Sequence, residues 1–298
     1  MKKTTVLLVT FGGPCSIEDV PRFMRNLMGC EPSPAVTNQV ADRYNQVGGC
    51  SPLPAITEEQ ARLLQAATEN QFTVRSAFKY SPPSIEERIN ACYDEKVERI
   101  VFFMLSPFYT SRTVGSYIAT AEGYFKWLPY HPEVVYIHSW HNEPLFVKCW
   151  VEKIRAEAYY PDDAFYLFSA HSLPKALLDE PYVSQIQETV EAIASELHLA
   201  HYGLGWQSVP RNVGEPWIEP VCEQIIDEVA RKRIAKLVQV PVGFTADHLE
   251  TLYDIDIVHK EYAGVRGLTH YRISSLNTDS QFIEALKQIL LRSLKEKA

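Results

Sequence analysis

Short apolar runs alternate along the whole chain with longer stretches in which apolar residues recur at helical spacing. The runs are rich in β-branched and aromatic residues, and they predict strands near 4–10, 72–78, 99–105, 133–138, 164–170, 201–206, 236–242 and 268–273. The stretches between them predict helices near 16–29, 57–70, 83–95, 115–127, 144–158, 182–197, 217–232 and 278–295. Such alternation is typical of parallel sheets covered by helices on both faces, so the predicted fold class is α/β.

The predicted strands fall into two groups of four. A polar, proline-containing stretch, AYYPDD at 158–163, separates the groups and is the candidate linker. We therefore predict two similar doubly wound, Rossmann-like halves, at 1–158 and 159–298. The two halves share no sequence repeat that would demonstrate a duplication.

Composition and charge exclude several classes of protein. The 298 residues carry a net charge of −8, which does not fit the basic surface that nucleic-acid binding needs. No apolar run approaches the length of a membrane span, which is about 18 residues. The opening MKKTTVLLVTFGG lacks the cleavage site of a secretory signal and is better interpreted as a first strand. The six cysteines form no CxxC pair, so we expect no zinc or iron–sulfur site and a cytoplasmic protein with reduced thiols.

Ligands of open α/β sheets bind beyond the carboxyl ends of the strands. The segments predicted there are FGGP (11–14), FKYSPP (78–83), SPFYTSR (106–112), SAHSLP (169–174), GWQS (205–208) and PVGFTADHLE (241–250). FGGP is not a GxGxxG pattern, and Pro14 lacks the amide that a phosphate cradle would use, so a tight turn is the simpler interpretation. No Walker A loop, GxSxG elbow or Ser-His-Asp pattern is present in the sequence.

His171 is the strongest single candidate because it ends a buried strand at the ligand end of a sheet. Glu250 and Asp254 are four residues apart and share a helical face, where a carboxylate pair can hold a cation or relay protons. A capping box formed by Asp247 and Glu250 is the structural alternative. Trp217 is expected at the start of a helix, either in the core or as a flat wall for an aromatic ligand. The remaining histidines rank lower, and His131, His198 and His259 are expected to be solvated.

Taken together, these segments resemble the ferrochelatase family. FSAHSLP, GWQS followed by PWIEP, and PVGFTADHLETLYDID match its motifs in order and spacing. LLVTFGGPCSIEDVPRFMRNL, RYNQVGGCSPL and KYSPPSIEE match its amino-terminal half. The resemblance implies two Rossmann-like halves with an active cleft between them, a final helix (about 278–295) that packs back on the first half, and insertion of Fe²⁺ into a porphyrin during haem synthesis.

The resemblance also implies roles for individual residues. His171 would accept the pyrrole protons or bind the metal, Glu250 would be its partner carboxylate, and Asp254 would belong to an acidic ladder. Residues implied to bind the porphyrin are Phe11, Gly12, Gly13, Pro14, Arg43, Tyr44, Ser51, Lys79, Tyr80, Tyr109, Ser208 and Trp217. Among these, Arg43, Tyr44, Ser51 and Lys79 are candidates for binding the propionates.

The choice of porphyrin depends on three departures from relatives. Phe11 replaces a tyrosine of the coproporphyrin-using members, and a phenyl ring cannot bind iron. The segment 29–40 is short, as in those same members, which favours coproporphyrin III, but it lacks arginines for additional propionates. Protoporphyrin IX therefore stays open as the substrate.

The resemblance implies Fe²⁺ as a substrate and no required cofactor. Some relatives hold a [2Fe–2S] cluster in a cysteine-bearing tail, and without such a tail we expect no cluster here. The expected partners are the porphyrin and, transiently, neighbouring enzymes of the haem pathway. Two alternatives stay open: a cobalt or nickel chelatase acting on another tetrapyrrole, and a non-catalytic porphyrin or haem carrier.

Overall fold

The computed structural model describes residues 2–160, 162–210 and 214–296. Its strands are β1 (Thr4–Thr10), β2 (Thr73–Phe78), β3 (Arg99–Met104), β4 (Glu133–Ile137), β5 (Ala164–His171), β6 (Tyr202–Gln207), β7 (Lys236–Val240) and β8 (Thr269–Arg272). Its helices are α1 (Val20–Met28), α2 (Pro34–Gln46), α3 (Leu53–Ala67), α4 (Ile85–Asp94), α5 (Ser116–Phe125), α6 (Pro144–Glu157), α7 (Tyr182–Leu197), α8 (Cys222–Arg231), α9 (Lys260–Gly264) and α10 (Ser280–Glu296). A π-helix, Glu250–His259, precedes α9, and a short π-helical turn, Ser111–Gly115, precedes α5.

The strands form two four-stranded sheets, and every pair of neighbours is parallel. The orders are β2-β1-β3-β4 and β6-β5-β7-β8, so the first strand of each sheet lies inside it. β1 is buried at every position and β5 from Ala164 to Ala170, as expected for strands covered on both faces. The predicted α/β class with two doubly wound four-stranded sheets is confirmed.

The chain divides into two compact units. Unit 1 contains residues 1–140 and 278–298, and unit 2 contains residues 141–277. The predicted boundary after residue 158 is wrong because α6 belongs to unit 2, where it packs against α7. The Glu157 carboxylate also accepts hydrogen bonds from the backbone and hydroxyl of Ser274 in that unit. Within the predicted linker, Pro161 lies outside the described residues.

Unit 1 is completed by the last helix of the chain. α10 packs against α3, and Phe282 on α10 lies 6.3 Å from the Trp140 ring, measured between ring centroids. Trp140 is held in unit 1 by its indole nitrogen, which donates to the Met104 carbonyl at 2.8 Å. None of the helices in the described ranges is long and apolar enough to cross a membrane.

Helix α2 was not predicted from the sequence. It begins with Pro34 directly after Ser33, whose hydroxyl accepts a hydrogen bond from the Val36 amide at 3.4 Å. Tyr44 is its one buried residue, so the helix carries no apolar stripe that would have revealed it. It includes the candidate residue Arg43.

Candidate functional site

His171 is the last residue of β5, at the carboxyl end of the second sheet. Tyr182 fixes this end of the strand by donating a hydrogen bond to the His171 carbonyl at 3.0 Å. The amide of Ser172 donates to the Gln207 carbonyl at 2.9 Å, which continues the pairing of β5 with β6. The backbone that presents the imidazole is therefore held from both sides, while the side chain itself is 31% exposed.

Contacts of its two ring nitrogens determine the neutral tautomer of His171. Nδ1 lies against the backbone carbonyl oxygen of Ser172, and an oxygen of this kind only accepts hydrogen bonds. Nδ1 therefore carries the hydrogen, and Nε2 keeps its lone pair. Nε2 lies 3.5 Å from Oε1 of Glu250. A nitrogen lone pair and a carboxylate that face each other both attract positive charge, so a proton or a metal cation is stabilised between them.

Glu250 is placed by the loop that follows β7. Gly243 brings this loop against β5, because a Cβ at position 243 would lie 2.6 Å from the Cβ of Ala170. Glu250 is then the first residue of the π-helix, and its carbonyl accepts a hydrogen bond from the Gln207 side chain at 3.0 Å. Pi-helical turns are rare and often occur at functional sites.

The capping box considered for Asp247 and Glu250 does not form. Asp247 instead accepts hydrogen bonds from Arg272 at 2.8 Å and from Asn277 at 2.7 Å. Burial alone would raise the pKa of Asp247, but Arg272 and these hydrogen bonds hold it below its ordinary value. Asp247 is thus paired with Arg272 and Asn277, while the Glu250 carboxylate lies beside His171.

His248 is a member of this cluster that the site prediction missed. Its Nε2 lies 3.5 Å from the second oxygen of Glu250, and its Nδ1 lies 3.2 Å from the Ala246 carbonyl oxygen. The same reasoning gives His248 a lone pair on Nε2, directed at the carboxylate. The spacing HxE in DHLE was the available signal, and it was overlooked because two residues at that spacing do not share a face of a regular α-helix.

Asp254 lies further along the π-helix and is held by Ser208. The Ser208 hydroxyl donates to the Asp254 carboxylate, and Ser208 has a φ of 62°, which is uncommon for a residue with a side chain. Ser208 was predicted to bind the porphyrin, and in this structure its hydroxyl contacts Asp254. The carboxyl end of β6 thus holds the π-helix at Gln207 and at Ser208.

Trp217 lies next to His171. Its ring centroid is 6.2 Å from the imidazole centroid, and its backbone pairs with Pro174. The prediction that Trp217 starts a helix is wrong, since α8 begins at Cys222 and two further bonds, from Lys175 to Pro216 and from Ile218 to Leu173, tie the segment to HSLP. The ring is therefore held beside the histidine by backbone pairing.

Six of the predicted residues of unit 1 lie on two loops that follow β1 and β2: Phe11, Gly12, Gly13, Pro14, Lys79 and Tyr80. The Tyr80 amide donates to the Phe11 carbonyl at 3.1 Å, and the Gly13 amide donates to the Ser81 hydroxyl at 3.1 Å. Gly12 has a φ of 87°, and a Cβ there would lie 2.3 Å from the Ser81 hydroxyl oxygen, so position 12 requires glycine. The Phe11 ring packs edge-on against Tyr80 with centroids 4.7 Å apart. Pro14 lines a small pocket next to Tyr80.

The candidates for carboxylate binding differ in accessibility. The Lys79 ammonium contacts the Thr120 hydroxyl, and burial lowers the pKa of Lys79, partly opposed by Glu86. Arg43 on α2 is half-buried. Tyr44 and Ser51 are buried, with 3% and 5% of their surface exposed. Tyr109 follows β3, and its ring lies 5.7 Å from that of His138 between centroids.

Two further findings concern charged and metal-binding side chains. His259 was expected to be solvated but is 2% exposed, because the π-helix ends with its ring hydrogen-bonded to Gln239 at 3.0 Å. Within residues 2–160, 162–210 and 214–296, no three or more His, Cys, Asp or Glu residues are grouped so that they could hold a metal ion.

Comparison with known sequences identifies relatives along the whole chain. The family model described as Ferrochelatase matches residues 3–294. A coproporphyrin III ferrochelatase of Geobacillus sp. (strain WCH70) is 33% identical over 309 residues, which cover 99% of this chain and 99% of that protein. A coproporphyrin III ferrochelatase of Listeria monocytogenes serovar 1/2a is 32% identical, and the match covers 97% of each chain.

Comparison with solved structures identifies chelatases with the same fold. SirB from Bacillus subtilis with Fe³⁺ has a TM-score of 0.59 at 10% identity, covering 98% of this chain and 95% of that one. CbiX, described as the terminal enzyme of sirohaem biosynthesis in denitrifying bacteria, has a TM-score of 0.54 at 12% identity, covering 97% and 98%. At these identities the likeness shows the fold alone.

Proposed function

Because the chain belongs to the ferrochelatase family, we propose that its substrate is coproporphyrin III, into which it inserts Fe²⁺. Family membership confirms the prediction of a ferrochelatase, a metal-inserting lyase of haem biosynthesis. Relatives named coproporphyrin III ferrochelatase, similar to the chain over almost its entire length, support this porphyrin over protoporphyrin IX.

The pair formed by His171 and Glu250 is the observation that carries the proposed mechanism. A free porphyrin loses two N–H protons as the metal enters, so a base must lie within reach of the ring nitrogens. The Nε2 lone pair of His171 can accept such a proton, and Glu250 at 3.5 Å stabilises the imidazolium that results. His171 therefore takes pyrrole protons in the proposal.

Glu250 and its second histidine provide a route for these protons to leave. Each carboxylate oxygen of Glu250 faces one imidazole Nε2, His171 on one side and His248 on the other, both at 3.5 Å. A proton accepted by His171 can pass to the carboxylate and then to His248. Asp254, placed by Ser208 on the same π-helix, would extend this acidic path.

Unit 1 supplies the proposed porphyrin contacts. The aromatic pair Phe11 and Tyr80 offers apolar surface to a flat ring, and the glycines beside it allow the backbone to approach closely. Lys79 and Arg43 are the proposed partners of the propionates, through charge-assisted hydrogen bonds. Tyr44 and Ser51, being buried, would support the loop and helix that present Arg43.

The porphyrin assignment is tested by anaerobic Fe²⁺ insertion, followed by absorbance, with coproporphyrin III and protoporphyrin IX in parallel. We expect kcat/KM to be at least about 100-fold higher for coproporphyrin III, which corresponds to a difference of about 2.7 kcal/mol in transition-state binding. Equal turnover of both porphyrins would contradict the assignment. Tight binding of both without turnover would favour the carrier.

A cobalt or nickel chelatase is tested in the same assay by substituting Co²⁺ or Ni²⁺. Most protein metal sites bind divalent metals more tightly along the series from Fe²⁺ to Cu²⁺, so metal affinity alone does not identify the substrate metal. Rates of metal insertion at saturating coproporphyrin III are therefore the quantity to compare. The proposal expects Fe²⁺ to be inserted faster than Ni²⁺. A cytoplasmic location and transient contacts with neighbouring haem-pathway enzymes stay predictions.

A further inference from the structure

Two cysteines lie on neighbouring loops of unit 1 that the proposed function assigns to the porphyrin. Cys15 is exposed and follows Pro14, and Cys50 is half-buried and precedes Ser51. Three other cysteines, at 92, 149 and 222, are buried, and Cys30 is exposed at the end of α1. Cys15 and Cys50 therefore combine accessibility with closeness to the proposed site.

One backbone hydrogen bond brings the two cysteines together. The Ser51 amide donates to the Pro14 carbonyl at 2.8 Å, which joins the peptide group that precedes Cys15 to the one that follows Cys50. Each cysteine contributes a backbone atom to one of these two peptide groups, so Cys15 and Cys50 lie directly beside the hydrogen bond. A disulfide requires a Cα separation of about 4.4–6.8 Å.

Contact between the loops supports this closeness independently. A Cβ at Gly13 would lie 2.5 Å from the Cβ of Ser51, so the two loops touch next to the cysteines. Electrostatics leads to the same conclusion. Burial raises the pKa of Cys15, and Asp19 and then Cys50 raise it further, against a lowering by Arg22. Cys50 therefore lies near enough for its charge to act on the thiol of Cys15.

We propose that Cys15 and Cys50 form a reversible intramolecular disulfide by exchange with a low-molecular-weight disulfide. One protein thiolate attacks the reagent and releases one small thiol, leaving a mixed disulfide on the protein. The second cysteine thiolate then attacks the protein sulfur of that mixed disulfide and releases the second small thiol. Two protein thiols are oxidised, the reagent is reduced to two thiols, and the two protons pass to the released thiols.

The raised pKa of Cys15 has consequences for this reaction. A thiol that stays protonated at neutral pH reacts slowly, because the thiolate is the nucleophile. This environment therefore favours slow thiol–disulfide exchange over a rapid reaction with peroxide. The bridge would prevent separation of the loops that carry Gly13 and Ser51.

The test is intact-protein mass spectrometry after incubation with glutathione disulfide at mildly alkaline pH and alkylation of the remaining thiols. Wild type is expected to lose two hydrogens and to protect two cysteines, which peptide mapping identifies as Cys15 and Cys50. Cys30→Ser should behave as wild type, while Cys15→Ser and Cys50→Ser should each carry one glutathione instead. Separate glutathione adducts on both cysteines of wild type, or a bridge that includes Cys30, would overturn the proposal.

The effect on activity rests on the proposed function and is measured separately. Oxidised wild type is expected to insert Fe²⁺ at least threefold more slowly than reduced wild type, with recovery after treatment with a reducing dithiol, whereas Cys15→Ser should not respond. A bridge that leaves the rate unchanged would overturn the link to metal insertion. If the reduced enzyme inserts no iron, the proposed function is contradicted, whereas the disulfide detected by mass spectrometry is unaffected.

Discussion

Histidine 171 shows what its sequence position alone could and could not predict. An imidazole that ends a buried strand, at the edge of a sheet where ligands bind, is the strongest single candidate that the sequence offers. The tautomer could not be predicted, because it depends on the contact between Nδ1 and the Ser172 carbonyl. That contact leaves Nε2 free to accept a proton.

Removing the charge of Glu250 is expected to slow metal insertion by at least about 100-fold, the lower end of the usual contribution of acid–base groups. Glu250→Gln keeps the size of the side chain but cannot stabilise an imidazolium at His171. Affinity for the porphyrin should change little. The matched control is Glu228→Gln, an exposed glutamate on α8, and similar rates for the two variants would contradict the role of Glu250.

Arg272 is expected to stabilise the loop that presents Glu250. It donates to Asp247 at 2.8 Å and to Asp256 at 2.7 Å, and its side chain is 13% exposed. Arg272→Gln should lower the free energy of unfolding by about 3–5 kcal/mol, because Asp247 would stay buried without its cation. Urea unfolding measures this.

The control for Arg272 is Arg62→Gln on α3. Arg62 pairs with Glu59 at the surface, where the two side chains are 66% and 43% exposed. Loss of an exposed pair typically costs about 0–1 kcal/mol. Equal losses of stability in the two variants would show that Asp247 and Arg272 do not act as a buried pair.

At the scale of elements, the apolar patterns identified all eight strands found in the described residues, within one or two residues at most ends. They missed α2, which buries only Tyr44. The capping pattern and the spacing of Glu250 and Asp254 predicted a regular helix where Glu250–His259 is π-helical. The two failures have different causes. The π-helix depends on partners distant in sequence, namely Gln207, Ser208 and Gln239, which a local pattern does not record. Helix α2 packs against the neighbouring α1 but buries too few apolar residues to show a helical period.

The end of the π-helix makes stability depend on pH. Burial lowers the pKa of His259 to about 4, and burial together with the charge of His259 lowers that of His270 to about 4. Nδ1 of His259 accepts a hydrogen bond from the Gln239 amide nitrogen, which requires a neutral ring, and Nε2 of His270 donates to the Gln239 amide oxygen. With pKa values near 4, both rings are neutral in the folded protein at neutral pH. The unfolded chain binds protons at these histidines below about pH 6.5, whereas the folded protein does so only near pH 4.

Stability should therefore fall as the pH is lowered from 6.5 towards 4, by a few kcal/mol in total, on the scale of about 1.4 kcal/mol per tenfold change in proton affinity. Urea unfolding at pH 7 and pH 5 measures this loss. The double variant His259→Gln, His270→Gln should lose less stability over the same interval. An equal loss in wild type and variant would show that other groups cause the pH dependence.

For the whole molecule, strand–helix alternation predicted two parallel sheets, but it did not identify the residues that each unit contains. The polar composition of 158–163 predicts a linker, yet α6 belongs to unit 2 and α10 to unit 1. Membership of a unit is decided by packing between distant segments, such as α10 on α3. Local composition does not record such contacts.

The order of motifs, in contrast, was visible along the whole sequence. Six segments in the arrangement of one family predicted a ferrochelatase, and the family model and the relatives confirm that reading. Of the residues implied to bind porphyrin, Ser208 and Trp217 lie in unit 2, and the others lie in unit 1, on the loops after β1 and β2, on α2, before α3 and after β3. Their roles stay proposals that kinetics must test.

The central claim is that His171 accepts the protons displaced by the metal. Anaerobic Fe²⁺ insertion into coproporphyrin III should be measured for His171→Ala and for His201→Ala, an exposed histidine before the amino end of β6. Porphyrin affinity should be followed by fluorescence quenching in both. We predict that His171→Ala binds porphyrin but inserts iron at least about 100-fold more slowly, while His201→Ala matches wild type. Similar insertion rates in the two variants would contradict the account.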